Sequence, residues 1–476
     1  MKIIINDFGP IDTFTFDLKK DFHLIVGENN VGKSYAITIV YLLVKTILNS
    51  SKHLGFLEFY LQENTGEEIL EKISSHINKN EITINDIVQN ILHENLTILF
   101  LPTLSDSIKA SFNSIENLSN QFSNKSFCID IVIDNFSFSI VPEEKELSIS
   151  NIIINHKYYV KIANQNRKPR KESAKTFLYF SKKDKSNNLF IKSYIAVIYD
   201  LYISFFNEVH EHVKSVHYLP ASRSGLYQAL SAFGQIVAEL SKNRAFLTKK
   251  IELPGISEPL SDYFLKLSEI RAKKRSFQNK PINQIAQEIE ENILHGIVEF
   301  DPKTKRLIFS PEGTSLHLDL SSTSSMVSEL SPIVSYLRYV LTVAESKAQL
   351  NIFNVPIKNN KNAKHLIIIE EPEAHLHPEV QIKITEIFAK LVKIDVKIII
   401  TSHSNFIFNK VNNLILEKDI DITKSAATIF KNNSNGSVGY QLETDDLGID
   451  DENFIDAAEL LFEEKTTLIA NMNKND

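Results

Sequence analysis

The chain has 476 residues, of which 43% are hydrophobic, and it carries a formal net charge of −7 at pH 7. This length predicts more than one compact core, and the negative charge argues against a uniformly basic nucleic-acid coat. A single cysteine, Cys128, excludes an intrachain disulfide framework. The N-terminal apolar run is broken by Asn, Asp and Pro, and no later run is interpreted as approaching the roughly 20 residues of a membrane span. We therefore expect a cytoplasmic protein without a membrane segment.

The first elements predict a strand, a phosphate-binding loop and a helix, in that order. Residues 1–18 alternate around a Gly-Pro turn and indicate a hairpin, and FHLIV follows as a buried strand. GENNVGKS, residues 27–34, comes next and leads into YAITIVYLLVKTIL, which is long enough for a helix. A glycine-rich loop between a strand and a helix is the context in which backbone amides and a helix N-terminus bind phosphate.

This loop predicts a site for ATP with Mg²⁺. Gly27 and Gly32 let backbone amides curl around phosphate oxygens. Lys33 can neutralise the β and γ phosphates, and the hydroxyl of Ser34 can bind Mg²⁺. The predicted nucleotide contacts in this loop are Gly27, Glu28, Asn29, Asn30, Val31, Gly32, Lys33 and Ser34.

The stretches that follow predict insertions after a first lobe, which carries the phosphate loop and which we assign to residues 1–50. Residues 51–126 are polar, rich in Asn, Ser and Ile, and include helix-like stretches, which favours a helical insertion. Alternating segments predict antiparallel strands from residue 127, and 127–225 is interpreted as these strands and a return to the main body of the protein. Residues 226–300 have helical periodicity and are interpreted as a second helical insertion, a short arm.

The C-terminal regions predict a second lobe at 301–440, where strands and helices alternate, and an acidic tail at 441–476. The tail has eleven acidic residues against two lysines, a net charge of −9. Two other segments are basic: 157–185 has a net charge of +8, and 241–280 has a net charge of +6. Charge runs are most often solvated faces. The functional alternative is a polyanion contact for the basic patches and a docking or self-shielding role for the tail.

The stretch HLIIIEEPEAHLHPE admits two interpretations. His375, His377 and Glu373 form a candidate ligand set for a transition metal, because imidazole and carboxylate suit such ions. However, a phosphate loop needs a carboxylate at the end of a second buried strand to hold magnesium. The favoured interpretation therefore assigns Glu370 to Mg²⁺ through water, and Glu371 to the general base that polarises the attacking water.

Three further segments contribute candidate site residues. KIIITSHSNFI predicts a buried strand that ends near His403, which places an imidazole at the carboxyl edge of the sheet, within reach of the γ phosphate. The serine-rich loop at 318–324 precedes an amphipathic helix, so Ser324 and Ser325 are candidate phosphate contacts at a helix N-terminus. The segment VHYLPASRSG contributes Arg223, for which we expect a contact with phosphate or nucleic acid.

The order GENNVGKS, LSSTSSMVSELSPI, LIIIEEPEAHLHPE and IIITSHS resembles the RecF/OLD-like branch of ABC-type ATPases, AAA family relatives of the SMC head. The resemblance covers about half of the chain. It implies an α/β fold: a two-lobed ABC-type head, a P-loop NTPase with helical insertions, that sandwiches two nucleotides between two subunits. It places Ser325, with Ser324 beside it, at the signature serine and His403 at the switch histidine.

Two departures from that family bear on function. Met326 stands where the signature glycine is usual, and only about 70 residues follow His403, too few for the nuclease domain of OLD-family enzymes. We therefore expect an ATPase, with turnover that can be slow, and no nuclease activity in this chain.

Three functions are compatible with this resemblance. The favoured one is the sensor or switch subunit of an anti-phage system similar to Septu, PARIS and retron-associated ATPases. Such a subunit forms a homodimer or higher oligomer and controls a separate nuclease or toxin. The alternatives are a RecF-like ATPase of DNA repair or recombination and a scaffold that holds ATP with little turnover. Non-specific DNA contact through the basic patches is compatible with the first two.

Overall fold

The computed structural model describes residues 1–50, 81–165, 167–181, 188–229, 256–270, 280–301, 306–342, 363–445, 448–449 and 462–468. Its helices are α1 (Lys33–Ser50), α2 (Asn85–Asn95), α3 (Leu101–Phe112), α4 (Asn188–His210), α5 (Glu258–Ser268), α6 (Lys280–Ile289), α7 (Ser325–Ser335), α8 (Pro378–Lys393) and α9 (Asn405–Leu416). Its strands are β1 (Lys2–Phe8), β2 (Ile11–Asp17), β3 (Phe22–Gly27), β4 (Glu81–Thr83), β5 (Cys128–Val132), β6 (Phe136–Glu143), β7 (Glu146–Ile154), β8 (Lys157–Ala163), β9 (Arg170–Lys171), β10 (Lys175–Ser181), β11 (Val213–Leu219), β12 (Gly296–Asp301), β13 (Arg306–Pro311), β14 (Leu318–Asp319), β15 (Lys364–Glu370), β16 (Val396–Ser402), β17 (Ser425–Asn433), β18 (Gly436–Gln441), β19 (Thr444–Asp445) and β20 (Gly448–Ile449). Single π-helical turns continue α2, α6 and α7 at Leu96–Phe100, Glu290–Leu294 and Tyr336–Val340.

A central sheet of eleven strands has the order β11-β15-β16-β3-β17-β18-β2-β1-β5-β6-β7. Its first five strands pair in parallel, whereas the β1–β2 hairpin and the β5–β6–β7 meander are antiparallel. Strands β15 and β16 are apolar and buried along nearly their whole length, as expected where helices cover both faces of a parallel sheet. The fold is therefore mixed α/β, which confirms the predicted class.

The order β15-β16-β3 brings three predicted motifs to one edge of the sheet. Glu370 at the end of β15 lies in register with Thr401 of β16. Ser402 in turn pairs with Val26, the last residue before the phosphate loop. Because these strands are parallel, their carboxyl ends meet at the same edge. The phosphate loop, the acidic pair and His403 are therefore neighbours.

Two hydrophobic cores lie on opposite faces of the central sheet. In β3, Ile25 joins the first core, whereas Leu24 and Val26 join the second. The first core contains residues of α1 to α4, and the second contains residues of α5 to α9. Helix α1 is apolar on nearly all sides because it packs against the sheet and against other helices at once. This packing fixes the position of the loop that precedes it.

A second sheet, with the order β4-β8-β10-β9, follows the meander. The sequence predicted one antiparallel region across 127–162, but only β5 to β7 continue the central sheet. Strand β8 leaves it, pairing in parallel with β10 and antiparallel with β4. The difference arises because pairing between distant segments is not encoded in local alternation.

Helix α4 corrects the expectation that no apolar run approaches the length of a membrane span. Leu189–His210 has 22 residues and is long and apolar enough to cross a membrane, by length and composition alone. Its side chains include Tyr194, Leu201 and Phe205, which are buried in the first core. Half of this apolar stretch is buried inside the protein, and packing in the first core accounts for that half.

Several predicted segments lie outside the described residues. These are 51–80 of the first insertion, 230–255 and 271–279 of the arm, and most of the acidic tail. Within the tail, residues 462–468 are helical and exposed. The predicted division into lobes and insertions stays a prediction.

Candidate functional site

The phosphate loop connects β3 to α1 in a conformation that its residue types permit. Gly27 has a φ of +145°, and a Cβ there would lie 2.6 Å from the carbonyl oxygen of Phe430. Asn30 and Gly32 also have positive φ, at 64° and 86°. Glycine adopts such values without steric cost, and asparagine tolerates the left-handed region. The loop can therefore curl around an anion, and the N-terminus of α1 favours a phosphate there.

The other loop residues differ in exposure. Glu28, Asn29 and Asn30 are exposed, as is Ser34 in the first turn of α1, whereas Val31 is buried in the first core. Val31 therefore anchors the loop, and the exposed residues are free to contact a nucleotide.

The Lys33 side chain folds back onto the loop. Its Nζ donates hydrogen bonds to the carbonyl oxygens of Gly27, at 3.0 Å, and Glu28, at 2.6 Å. It also lies 3.4 Å from Nδ1 of His403. Burial lowers the pKa of Lys33 to about 8, against the opposing attraction of the Glu371 carboxylate. A partly desolvated ammonium group at this position is suited to bind phosphate oxygens.

Glu370 ends β15 beside the phosphate loop. Its Oε2 accepts a hydrogen bond from the backbone N–H of Ala221 at 3.3 Å, and the hydroxyls of Ser34 and Tyr218 also hydrogen-bond to it. Burial raises the pKa of Glu370, and the charge of Glu371 raises it further. Hydroxyl and carboxylate oxygens are ligands that Mg²⁺ prefers, so Ser34 and Glu370 fit this ion. A bound Mg²⁺ would supply positive charge that favours the ionised carboxylate and shields phosphate charge.

Glu371 has a backbone conformation that is rare for a residue with a side chain, with a φ of +41°. Its N–H donates to the carbonyl oxygen of Thr401 at 2.9 Å, which ties it to β16. Its carboxylate is half-buried, and Oε1 lies 3.6 Å from Nε2 of His403. The contact with His403 is the main cause that lowers the pKa of Glu371, and the charge of Lys33 adds to it. Glu371 is therefore ionised at neutral pH and available to accept a proton.

His403 lies between the lysine and the catalytic-base candidate. Its Nδ1 faces Nζ of Lys33, and its Nε2 faces the carboxylate of Glu371. An ammonium can only donate and an ionised carboxylate can only accept, so these partners assign the proton of the neutral ring to Nε2. The ring is thereby fixed at the edge of the sheet where the γ phosphate of a nucleotide is expected.

Glu373 supports this histidine rather than forming a metal site. Its Oε1 accepts hydrogen bonds from the Ser402 hydroxyl at 2.9 Å and from the His403 N–H at 2.6 Å. His377 instead caps the N-terminus of α8, where its Nδ1 accepts from the backbone N–H of Glu379 at 3.4 Å. His375 is exposed. Within the described ranges no group of three or more such side chains is arranged to hold a metal ion, so the transition-metal alternative has no support here.

Arg223 differs from its predicted role. Its side chain is fully buried, with no exposed surface. Nη1 donates to the carbonyl oxygens of Pro220, at 3.1 Å, and Glu370, at 2.8 Å. Nη2 donates to the carbonyl oxygen of Glu371 at 3.3 Å and lies 3.4 Å from Oε2 of Glu329, a residue of α7 that is also fully buried. The expected contact of Arg223 with phosphate or nucleic acid is therefore wrong, because its guanidinium group is buried and bonded to partners inside the protein.

The serine-rich segment leads into α7, as predicted, and its assignment as a signature loop stays a prediction. Ser324 is the N-cap, and its hydroxyl accepts a hydrogen bond from the N–H of Val327 at 3.4 Å. Ser325 is the first residue of the helix, and both serines are exposed. Helix α7 packs in the second core, whereas α1 packs in the first.

Sequence reasoning missed three residues at this site. Tyr218 hydrogen-bonds Glu370, and burial beside that carboxylate raises its pKa well above the usual value. Glu329 pairs with Arg223, and Ser224 donates its hydroxyl to Glu329 Oε1 at 2.6 Å. Tyr218 lies near the end of β11, a strand that the sequence analysis did not predict. For Glu329, the usable signal in the sequence was the position of a glutamate on an apolar face of a predicted helix, which can indicate a buried and paired carboxylate.

The comparison with protein families decides the assignment. The AAA ATPase domain family matches residues 1–408. The chain belongs to the AAA ATPase domain family. Membership supports ATPase activity and implies the use of nucleotide, usually with Mg²⁺. No curated protein matches this AAA ATPase.

Solved structures similar to this AAA ATPase include three SMC heads, all at low identity. An SMC head bound to the C-winged helix domain of ScpA has 12% identity and a TM-score of 0.34, over 93% of this chain and 97% of that one. The SMC head domain from Thermotoga maritima has 10% identity and a TM-score of 0.33, over 93% and 98%. An SMC head with an extended coiled coil bound to the C-terminal domain of ScpA, from Pyrococcus furiosus, has 10% identity and a TM-score of 0.34, over 99% and 98%.

Proposed function

We propose that this AAA ATPase hydrolyses ATP at the cluster formed by the phosphate loop and the ends of β15 and β16. Lys33 binds the phosphates, Ser34 and Glu370 hold Mg²⁺, and Glu371 accepts the proton of the attacking water. His403 orients Glu371 and lies toward the γ phosphate. The observation that carries the proposal is the convergence of Lys33, Glu371 and His403, which contact one another although 370 positions separate the first from the last.

The active unit in this proposal is a pair of chains that enclose two nucleotides. Ser324 and Ser325 lie exposed at the N-terminus of α7, a helix that packs in the second core, whereas α1 after the phosphate loop packs in the first. In a two-fold pair, the same surface of each chain faces the other, so each α7 can approach the nucleotide held by its partner. ATP would then favour association, and hydrolysis would release it.

The biological role that we propose is a switch in the cytoplasm that controls a separate effector, a nuclease or toxin, in an anti-phage system. This step is supported by the sequence resemblance to the RecF/OLD-like branch. A RecF-like role in DNA repair is the second candidate, because a basic face described below offers a contact for nucleic acid. That contact would be non-specific, as the expected interaction is with phosphates.

Copurification from the native locus tests the role. The tagged chain would be purified with ATP as the parent, as Glu371→Gln and as Lys33→Ala, and bound proteins identified by mass spectrometry. A nuclease or toxin whose recovery differs between the ATP-retaining Glu371→Gln chain and the ATP-free Lys33→Ala chain supports the switch. Recovery of DNA without a protein partner, equal in both variants, would contradict it and favour repair.

A further inference from the structure

The second sheet has one face that combines cations with aromatic rings. Alternate side chains of β8 and β10 point to opposite faces of this sheet. One face packs against α2 and α4 and buries Tyr158, Val160, Leu178 and Phe180. The opposite face carries Lys157, Tyr159 and Lys161 from β8 and Lys175, Phe177 and Tyr179 from β10. Of its three rings, Tyr159 and Tyr179 are partly exposed, whereas Phe177 is buried. The parallel register pairs these side chains row by row, with Lys157 beside Lys175, Tyr159 beside Phe177 and Lys161 beside Tyr179. We call these six residues the basic–aromatic face.

The buried ring of Phe177 contacts both Tyr159 and Lys161, so the rings that a ligand can reach are those of Tyr159 and Tyr179. Tyr159 and Phe177 stack with centroids 5.5 Å apart and an angle of 22° between their planes. Nζ of Lys161 lies 4.0 Å from the centroid of Phe177, and Nζ of Lys175 lies 5.8 Å from that of Tyr159. Arg167, from the loop before β9, approaches the ring of Tyr179 at 5.9 Å. The two partly exposed rings, Tyr159 and Tyr179, therefore each have a cation beside them.

Part of the charge on this side of the sheet is already paired. Lys161 pairs with Glu81 at 3.2 Å, and Arg170 of β9 pairs with Glu172 at 3.4 Å. Exposed ion pairs of this kind contribute little to stability, so a phosphate group can replace the carboxylate as the partner of the cation. Among the described residues, Lys157, Arg167 and Lys175 are exposed and have no carboxylate partner within 4.0 Å. A surplus of positive charge thus surrounds the rings.

We infer that the basic–aromatic face binds single-stranded nucleic acid. Proteins that bind single strands without sequence preference use cationic surfaces for the phosphates and aromatic rings on which bases stack. A duplex hides the faces of its bases, so it can use the lysines but not the tyrosines. The inference deepens the proposed non-specific DNA contact by naming its surface and its ligand. It does not depend on ATP hydrolysis, because none of these residues touches the nucleotide site.

Fluorescence anisotropy with the full-length chain tests the inference. The probes are labelled single-stranded oligo(dT) and a duplex of the same length, each titrated at two salt concentrations. One variant reverses the unpaired charges, Lys157→Glu/Arg167→Glu/Lys175→Glu. Its matched control reverses three exposed lysines elsewhere, Lys125→Glu/Lys145→Glu/Lys418→Glu, so that both chains have the same net charge. A second variant, Tyr159→Leu/Tyr179→Leu, keeps apolar bulk and removes the π faces. ATP turnover and the melting temperature of each variant verify folding.

The face variant should lose about tenfold or more in affinity for oligo(dT), with a salt slope that is smaller by about 2, since each single-strand phosphate contact contributes about 0.7. The control should lose clearly less. For the tyrosine variant, the affinity for oligo(dT) should fall about fivefold or more for each base that stacks on a tyrosine ring. Its salt slope and its affinity for the duplex should stay unchanged. Equal losses in the face variant and its control would overturn the inference. Unchanged oligo(dT) affinity of the tyrosine variant would also overturn the inference, because only a non-specific phosphate contact would remain. Binding of the chain to anionic lipid vesicles but not to oligo(dT) would overturn it as well.

Discussion

The buried pair of Arg223 and Glu329 links α7 to the catalytic-base candidate, and its removal gives a quantitative prediction. Arg223→Ala leaves the Glu329 carboxylate buried without its charge partner, and breaking such a pair costs about 3–5 kcal/mol. The change also removes the donors that hold the carbonyl oxygens of Glu370 and Glu371. We therefore expect both a lower free energy of unfolding and slower ATP turnover from Arg223→Ala.

The double variant Arg223→Met/Glu329→Leu separates these two effects. It removes both charges and fills the space with apolar side chains, so most of the lost stability should return. In this variant the carbonyl oxygens of Glu370 and Glu371 still lack their hydrogen-bond donors. The strained φ of +41° at Glu371 must then be held by its remaining contacts alone. We expect kcat to stay at least about tenfold below the parent, which corresponds to about 1.4 kcal/mol in the barrier, while ATP affinity changes little.

The assay combines chemical denaturation with steady-state ATP turnover, and a second buried pair provides the control. Arg338 and Glu290 form a buried ion pair at the other end of the α7 segment and touch no residue of the candidate site. Arg338→Met/Glu290→Leu should therefore leave kcat near the parent value. The positioning role of Arg223 is refuted if its double variant recovers stability and turns over ATP at the parental rate.

Three further predictions concern the nucleotide site and the pairing of chains. Lys33→Ala should abolish ATP binding measured by calorimetry, because the change removes the ammonium group that the loop holds; retained binding would contradict the role of Lys33. Burial lowers the pKa of Lys33 to about 8, so the ammonium form is lost as the pH rises through 8. ATP affinity should therefore fall by up to about tenfold per pH unit above pH 8. The Lys33→Arg variant stays charged, so its ATP affinity should depend less on pH. Ser325→Arg should prevent ATP-stabilised association in light scattering while leaving the melting temperature unchanged, because Ser325 is exposed; association equal to that of the parent would argue against a signature contact.

The sequence predicted the parts of the site that depend on local pattern. GENNVGKS has the residue types that its positive φ values require, and HLIII and KIIIT are apolar enough to be buried parallel strands. Once those strands are parallel, their carboxyl ends must share an edge, so Lys33, Glu370 and His403 could be placed together before the structure was known.

What the sequence did not predict depends on contacts between distant segments. Arg223 lies in a polar stretch, PASRSG, and its buried partner Glu329 is 106 positions away, so its burial could not be inferred from its neighbours. The parallel pairing of β8 with β10 likewise follows from tertiary packing and not from alternation. Helix α4 shows a further limit, because an apolar helix buried in a core and a membrane span have similar compositions.

The mass of Glu371→Gln in solution, measured by light scattering with and without Mg²⁺ and ATP, tests the central claim most directly. The substitution keeps Lys33 and the phosphate loop but removes the carboxylate that accepts a proton from water, so ATP should bind and remain intact. We predict twice the mass of one chain with ATP, the mass of one chain without it, and unhydrolysed ATP in the larger species. An unchanged mass in both conditions, or ATP hydrolysis by this variant at the parental rate, would contradict the account.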